Sequence, residues 1–346
     1  MPGSVQTYVE ATLSGPEGRA AWQALFAEVR DRQLIAPSAA RTLCKLAILS
    51  ALLCAALALA WLADSWPASA AAWLALALLL AQFAFVGHDA GHGSSARGPA
   101  ANRAVGQLAM TLVTGLAFDE WIARHREHHR FCQDETRDPD MAVAVVVSLT
   151  ENACRSKGAI GRFLTRHQAL HIWWLALLFG HSQRHLSQAA VLAAPRRWRV
   201  DAPMLVLHYA LWFGLPCALL EVPWTSALLA YAAPLTLLGP YLAAIFWVNH
   251  VGMPLVRDPA AFTFLEHQAL TSRTILSPPA WNWLFGGLNF QIEHHLFPQV
   301  PSHRLAAVQP LVRRHFDRGR VPYNGVAWSD AVRSILRHLR RVERAA

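Results

Sequence analysis

Apolar residues in this chain come in long blocks, and the polar residues between them are gathered. Residues 43–63 and 68–87 flank the turn Asp64-Ser65-Trp66-Pro67, and residues 203–220 and 226–248 flank Glu221-Val222-Pro223-Trp224. Each block approaches the roughly 20 residues that an α-helix needs to cross the hydrocarbon of a bilayer. The blocks are apolar all round, with no stripe left for water, which predicts membrane helices over one-sided surface helices. Lys45 lies close enough to the start of the first block to snorkel. Gln82, deep in the second, implies a contact inside the protein. Residues 104–118 are apolar but short for a span. Residues 141–200 mix apolar and basic patches and predict helices lying on the membrane face. Ala21, Leu25 and Val29 share one face of a short amphipathic helix predicted over 16–29.

Composition strengthens this pattern. Of 346 residues, 54% are hydrophobic and only 15% charged, whereas soluble domains carry about 25% charged residues. The net charge of +9 comes almost wholly from arginine. No Lys or Arg falls between residues 46 and 87 or between 201 and 256. The positive charge therefore flanks the apolar blocks, which suits a membrane surface and not nucleic acid. It also places both termini and the middle segment in the cytosol. The expected organisation is a cytosolic arm over 1–42, a membrane domain over 43–320 and a basic cytosolic tail over 321–346. The first 40 residues have no apolar core of a secretory signal. An Ala- and Arg-rich composition suggests a bacterial gene and hence the inner membrane. The five cysteines (Cys44, Cys54, Cys132, Cys154, Cys217) are odd in number and form no C-x-x-C, so they outline neither a disulfide nor a zinc framework.

Candidate chemistry lies in three histidine clusters: His88-Asp89-Ala90-Gly91-His92, His125-Arg126-Glu127-His128-His129 and Gln291-Ile292-Glu293-His294-His295. His88 and His92 share one helix face, as do His125 and His128. His129 points elsewhere, which suits a second metal, and Gln291, His294 and His295 repeat that spacing. Two spans separate the second cluster from the third, so these share a side of the membrane. The first joins them if residues 104–118 do not cross. The set is rich in imidazole and poor in thiolate, and about eight histidines exceed what one zinc needs. Two irons activating O2 is the chemistry that explains most. The expected fold is all-α: an integral membrane protein of four transmembrane helices with a cytosolic helical cap holding a histidine-rich di-iron site.

These clusters, with Asp138-Pro139-Asp140 after the second and Trp283 to Gly287 before the third, resemble the membrane fatty acid desaturases over roughly residues 68–320. The resemblance implies a non-haem di-iron enzyme that uses O2 and two electrons to remove two hydrogens from an acyl chain. It implies His88, His92, His125, His128, His129, His294 and His295 as metal ligands and catalytic residues, with His250 as a further ligand. Gln291 stands where many relatives have histidine. Glutamine there is typical of front-end and related acyl-lipid groups and suggests a supporting role, as does Asn249 acting through water. Asp89, Glu127 and Glu293 either orient neighbouring imidazoles or balance nearby arginines. The chain has no His-Pro-Gly-Gly motif of a fused cytochrome b5 domain. Electrons are therefore expected from a separate protein, such as a ferredoxin with its reductase. Arg124, Arg126, Arg130, Arg313, Arg314 and the Arg337 to Arg341 cluster either dock such a donor or hold anionic headgroups of membrane lipids.

His167, His171, His181 and His185 form two i, i+4 pairs outside that pattern and are expected to be interfacial. His303, eight residues after His295, is a candidate neighbour of the centre, while His267, His315 and His338 have no assigned role. Two other functions compete. One is a hydroxylase or ketolase on the same di-iron scaffold. The other is a membrane metal-binding or transport protein, which predicts ionisable residues lining a path through the spans; here the histidines gather at span ends instead.

Overall fold

The computed structural model describes Leu13, residues 15–141 and residues 147–346. Its helices follow the chain as α1 (Gly15–Asp31), α2 (Ala39–Leu62), α3 (Trp66–Gly91), α4 (Pro99–Gly106), α5 (Phe118–Phe131), α6 (Glu151–Arg155), α7 (Ala159–Thr165), α8 (Gln168–Ala193), α9 (Asp201–Tyr209), α10 (Leu215–Leu219), α11 (Trp224–His250), α12 (Phe264–Thr271), α13 (Gln291–Leu296), α14 (Leu305–Gly319) and α15 (Trp328–Glu343). The strands are β1 (Thr274–Leu276) and β2 (Gly325–Ala327), paired in parallel. The fold is that of an all-α membrane protein. Four of its helical stretches are long and apolar enough to cross a bilayer: Ala39–Leu62, Trp66–Gly91, Asp201–Leu219 and Trp224–His250. The chain divides into two compact units.

One unit comprises residues 37–123 and 175–243. Only 11% of the apolar window of α2 is buried, against 61% for α3, so α2 offers its leucines to lipid while α3 is an interior helix. Leu76, Leu80 and Phe83 of α3 are buried. Gln82 is buried and hydrogen-bonds Tyr241, the interior contact its position implied. Glycines let α8 and α11 meet closely. A Cβ on Gly239 would lie 2.1 Å from the Ala176 carbonyl oxygen, and one on Gly180 would lie 2.8 Å from that of Leu235. His208 is a packed helix residue. Its Nδ1–H donates to the Leu112 carbonyl (2.8 Å), which leaves Nε2 to accept from the Tyr231 hydroxyl (2.6 Å).

Asp201, fully buried, gathers this unit's polar groups. Its Oδ1 accepts from Gln107 Nε2 (2.8 Å), Thr111 Oγ1 (3.2 Å) and the Asp119 amide (3.2 Å), and its Oδ2 accepts from the Glu120 amide (3.1 Å). Two of those donors belong to the first turn of α5, where helix amides lack internal partners and favour negative charge. Asp201→Ala leaves these buried donors unsatisfied, a cost on the order of 3 kcal/mol. A thermal melt in detergent should fall by several degrees, and a melt within one degree of wild type would contradict this role for Asp201.

The other unit comprises residues 1–36, 124–174 and 244–346. Helices near both ends of the described chain, α1 and α15, bury side chains in it. Leu25 and Val29 of α1 are fully buried with Ile292, Phe297, Leu305, Leu311 and Phe316. Trp22 stacks against Phe297 (5.0 Å between centroids) and meets Phe264 edge-on (4.8 Å). The helix over 16–29, expected in a cytosolic arm as a membrane-surface entry helix, instead lays its apolar face over α12 to α14. The expected tail likewise supplies β2 and α15, whose Ala331, Ile335, Leu339 and Val342 are buried. Helix α13, only six residues long, is buried throughout. Glu293 pins it in place. Its carboxylate accepts from Thr274 Oγ1 (2.7 Å) on β1 and from the Tyr323 hydroxyl (2.6 Å) just before β2. Burial raises the Glu293 pKa against those two donors.

Candidate metal centre

Six of the eight proposed ligands come together in the unit just described, carried by α5, the end of α11 and α13. Three ring nitrogens converge on one point: His129 Nε2 lies 3.1 Å from His125 Nε2 and 3.1 Å from His294 Nε2. Such a meeting of lone pairs suits a shared cation. Beside it, His128, His250 and His295, with Cys132, offer donor atoms all within 4.8 Å of one another. His129 stacks on His295 at 4.2 Å between ring centroids and so joins the two groups. The remaining pair, His88 and His92, belongs to the other unit. They sit one turn apart at the end of α3, with ring centroids 4.8 Å apart.

The outer nitrogens of three rings are held by acceptors. His128 Nδ1 donates to Asp138 Oδ1 (2.9 Å), His295 Nδ1 to Gln268 Oε1 (2.8 Å) and His250 Nδ1 to the Thr271 carbonyl (3.2 Å). Each acceptor puts the ring proton on Nδ1 and leaves Nε2 with its lone pair, the usual arrangement around metal-bound histidine; in His250 that lone pair accepts from Gln291 Nε2 (3.0 Å). His295 Nε2 is buried and has no hydrogen-bond partner among the described residues. An orphaned imidazole nitrogen among other imidazoles is the observation that best fits a cation there. Without a metal, burial opposes a charge on His128, but Asp138 and Asp140 outweigh it and raise its pKa to about 9. For His295, burial and the surrounding histidines act together and lower it well below the usual value.

Gln291 and Asn249 form a relay. Asn249 Nδ2 donates to the Leu288 carbonyl (3.0 Å) and to Gln291 Oε1 (3.0 Å), which turns Gln291 Nε2 toward His250 Nε2 (3.0 Å). Gln291 therefore presents an N–H to the centre and not its carbonyl oxygen. The carboxylates expected beside the imidazoles behave differently. Glu293 serves Thr274 and Tyr323, as described. Glu127 is exposed, with no hydrogen bond or ion pair among the described residues. Asp89 Oδ1 stands 3.7 Å from His88 Nδ1, beyond hydrogen-bond range.

The groups that do orient the imidazoles were not singled out in the sequence as doing so: Asp138, Gln268 and the Thr271 carbonyl. Asp138 stood in a marked motif without a role, and Gln268 carried no signal at all. Cys132 was also passed over. It is fully buried, its Sγ is 3.5 Å from His250 Nδ1, and burial raises its pKa. His267 Nε2 donates to the Cys132 carbonyl (2.9 Å) and so packs beneath the centre. His303 is exposed.

The fatty acid desaturase family pattern matches residues 64–327. Among curated proteins, a Delta(8)-fatty-acid desaturase of Borago officinalis is 26% identical over 279 residues, covering 77% of this chain and 62% of its own. An acyl-lipid (9-3)-desaturase of the same plant is 27% identical over 280 residues, with the same coverage of 77% and 62%. Fatty acid desaturase 3 of Homo sapiens is 27% identical over 291 residues, covering 82% of this chain and 64% of its own. The chain thus spans somewhat less than two thirds of the length of these relatives.

Proposed function

This chain belongs to the fatty acid desaturase family, and from that premise we propose that it is an O2-dependent acyl desaturase with a non-haem di-iron centre. The balance is one O2, two electrons, two protons and two C–H hydrogens giving a carbon–carbon double bond and two waters. The substrate is an acyl chain on a membrane lipid or thioester, and the protein is an integral membrane protein. We further place both termini and the centre on the cytosolic side, in a bacterial inner membrane, because Lys and Arg are absent from residues 46–87 and 201–256 and gather in the segments beyond them.

The observation that carries this reading is a pair of adjoining imidazole groups: the Nε2 atoms of His125, His129 and His294 converge, and beside them His128 and His295 have Nδ1 tied to acceptors. We propose His125, His128, His129, His250, His294 and His295 as ligands that would hold two irons, with His88 and His92 as the further ligands that the family resemblance implies. Bound there, iron supplies the oxidising strength to break an unactivated C–H bond. The chain's own part is to fix positions. Asp138, Gln268 and the Thr271 carbonyl hold three rings in the tautomer that presents Nε2. Gln291, steered by Asn249, offers an N–H donor beside His250. The burial of α13 keeps bulk water from His294 and His295. A ferredoxin or similar carrier supplies the electrons.

The test is lipid profiling of a host expressing the chain with an electron donor, against His294→Ala, under 18O2. A new unsaturated acyl chain that carries no label and is absent from the variant is expected. A labelled hydroxyl or keto lipid would replace desaturation by oxygen insertion. No new product, with iron and electrons shown to be present, would refute the proposal.

A further inference from the structure

The arginines named in the sequence fall into different settings once folded. Arg314 pairs with Glu28 (2.8 Å), Arg313 lies over the Tyr323 ring (5.0 Å to its centroid) and Arg130 over Phe131 (4.9 Å). Helix α15 differs. Arg333, Arg337 and Arg340, with Arg344 at its C-terminal cap, are all exposed and recur at spacings of four, three and four, one continuous stripe along the helix. Arg333 pairs with Asp330. Arg337, Arg340 and Arg344 make no ion pair among the described residues. Their charge is uncompensated.

The opposite face of α15 is fixed. Ala331, Ile335, Leu339 and Val342 are at most 3% exposed, so the helix cannot roll to offer apolar residues outward. Its large exposed apolar residue is Trp328, at the first position. A helix that lies in a lipid interface presents an apolar face to it. Beyond Trp328 at its first position, this one turns arginine outward, which suits the acidic patch of a protein partner.

The inner face of α15 abuts the metal centre's own loop. His338 donates Nε2–H to the Leu149 carbonyl (2.7 Å) and backs onto Gly252. Gly252 has φ +83°, and a Cβ there would lie 3.1 Å from His338 Cβ. Two residues earlier is His250, whose carbonyl accepts from the Met253 amide (3.0 Å). From the stripe to an imidazole of the centre the route is one helix thickness and one tight turn.

We propose that the outward face of α15, carried by Arg337, Arg340 and Arg344, is the docking surface of an acidic one-electron carrier protein. The proposal rests on the desaturase reading. Each carrier is oxidised by one electron as the centre is reduced by one, and two dockings complete one double bond.

The test places the full chain in nanodiscs of neutral phosphatidylcholine and measures binding of an acidic [2Fe–2S] ferredoxin across a salt series. R337E/R340E/R344E is expected to bind at least tenfold more weakly than wild type at about 50 mM salt and to converge with it at high salt. R337Q/R340Q/R344Q should fall between, and thermal melts should match wild type. R126E/R130E on α5 should change binding less than twofold. Unchanged binding by the triple Glu variant, or an equal loss in the α5 variant, would overturn the proposal. So would a triple variant that keeps ferredoxin binding but loses association with anionic phosphatidylglycerol vesicles, which would make the stripe a lipid contact. Binding needs no iron, so it is scored separately from the dithionite-reduced spectrum: a chain without iron sinks the desaturase reading and leaves the docking result standing.

Discussion

Alanine at His129 should cut product formation by about 10²–10³-fold or more, the scale on which preorganised groups at a reacting centre act. His129 is the hub of the cluster. Its Nε2 is 3.1 Å from those of both His125 and His294, and its ring stacks on His295. No other ring here meets two other imidazoles through the same nitrogen among the contacts described. Removing it takes a donor from the centre and leaves a gap that alanine cannot fill. Two readouts separate these effects: fatty acid methyl esters from the expressing host, and iron per chain after purification. Both should fall together, while exposed His303→Ala should move neither. Product within twofold of wild type in His129→Ala would show that the convergence has no chemical role.

The spacing of the histidines was legible in the sequence because a helix converts i, i+3 and i+4 into one face without help from the rest of the fold. The four long apolar stretches were legible for the same reason: hydrocarbon demands a length and a composition that local sequence must supply. What lies around the imidazoles was not. Gln268 reaches His295 from α12, and Thr271 reaches His250 through a backbone carbonyl, which no side-chain pattern can announce. Glu293 was misplaced by proximity in sequence. Neighbours on a helix diverge by about 100°, so adjacency to a ligand does not by itself aim a side chain at the ligand's target. Here that direction holds Thr274 and Tyr323. The ends of the chain show the same limit. The amphipathic face of α1 could be read, but not the core it would close over, because a periodicity names a buried side without naming what buries it; α15 was read only as basic.

Asp138→Asn is expected to weaken iron binding by about 10–100-fold, the usual consequence of removing the carboxylate behind a metal-bound histidine. The substitution keeps the shape and reverses the polarity. Asp138, 3% exposed, accepts from His128 Nδ1 (2.9 Å) and the Asp140 amide (2.9 Å) through Oδ1, and from the Gln133 amide (2.8 Å) through Oδ2. An asparagine must set its NH2 against at least one of these donors. If that donor is His128, the ring proton moves to Nε2, the atom needed by the metal. Chelator titration of the purified protein measures the affinity, and unchanged iron retention would exclude Asp138 as the group that positions His128. The metal-free chain gives a second, independent reading. There the carboxylates raise the folded His128 pKa to about 9, above the ordinary histidine value. A raised folded pKa stabilises the fold below about pH 6.5, and that stabilisation disappears as the pH climbs through about 9. Its full size is on the order of 3 kcal/mol. The melting temperature of stripped wild type should therefore drop across that window relative to stripped Asp138→Asn. Parallel pH profiles for the two would mean that His128 and Asp138 do not share a proton in the way their geometry requires.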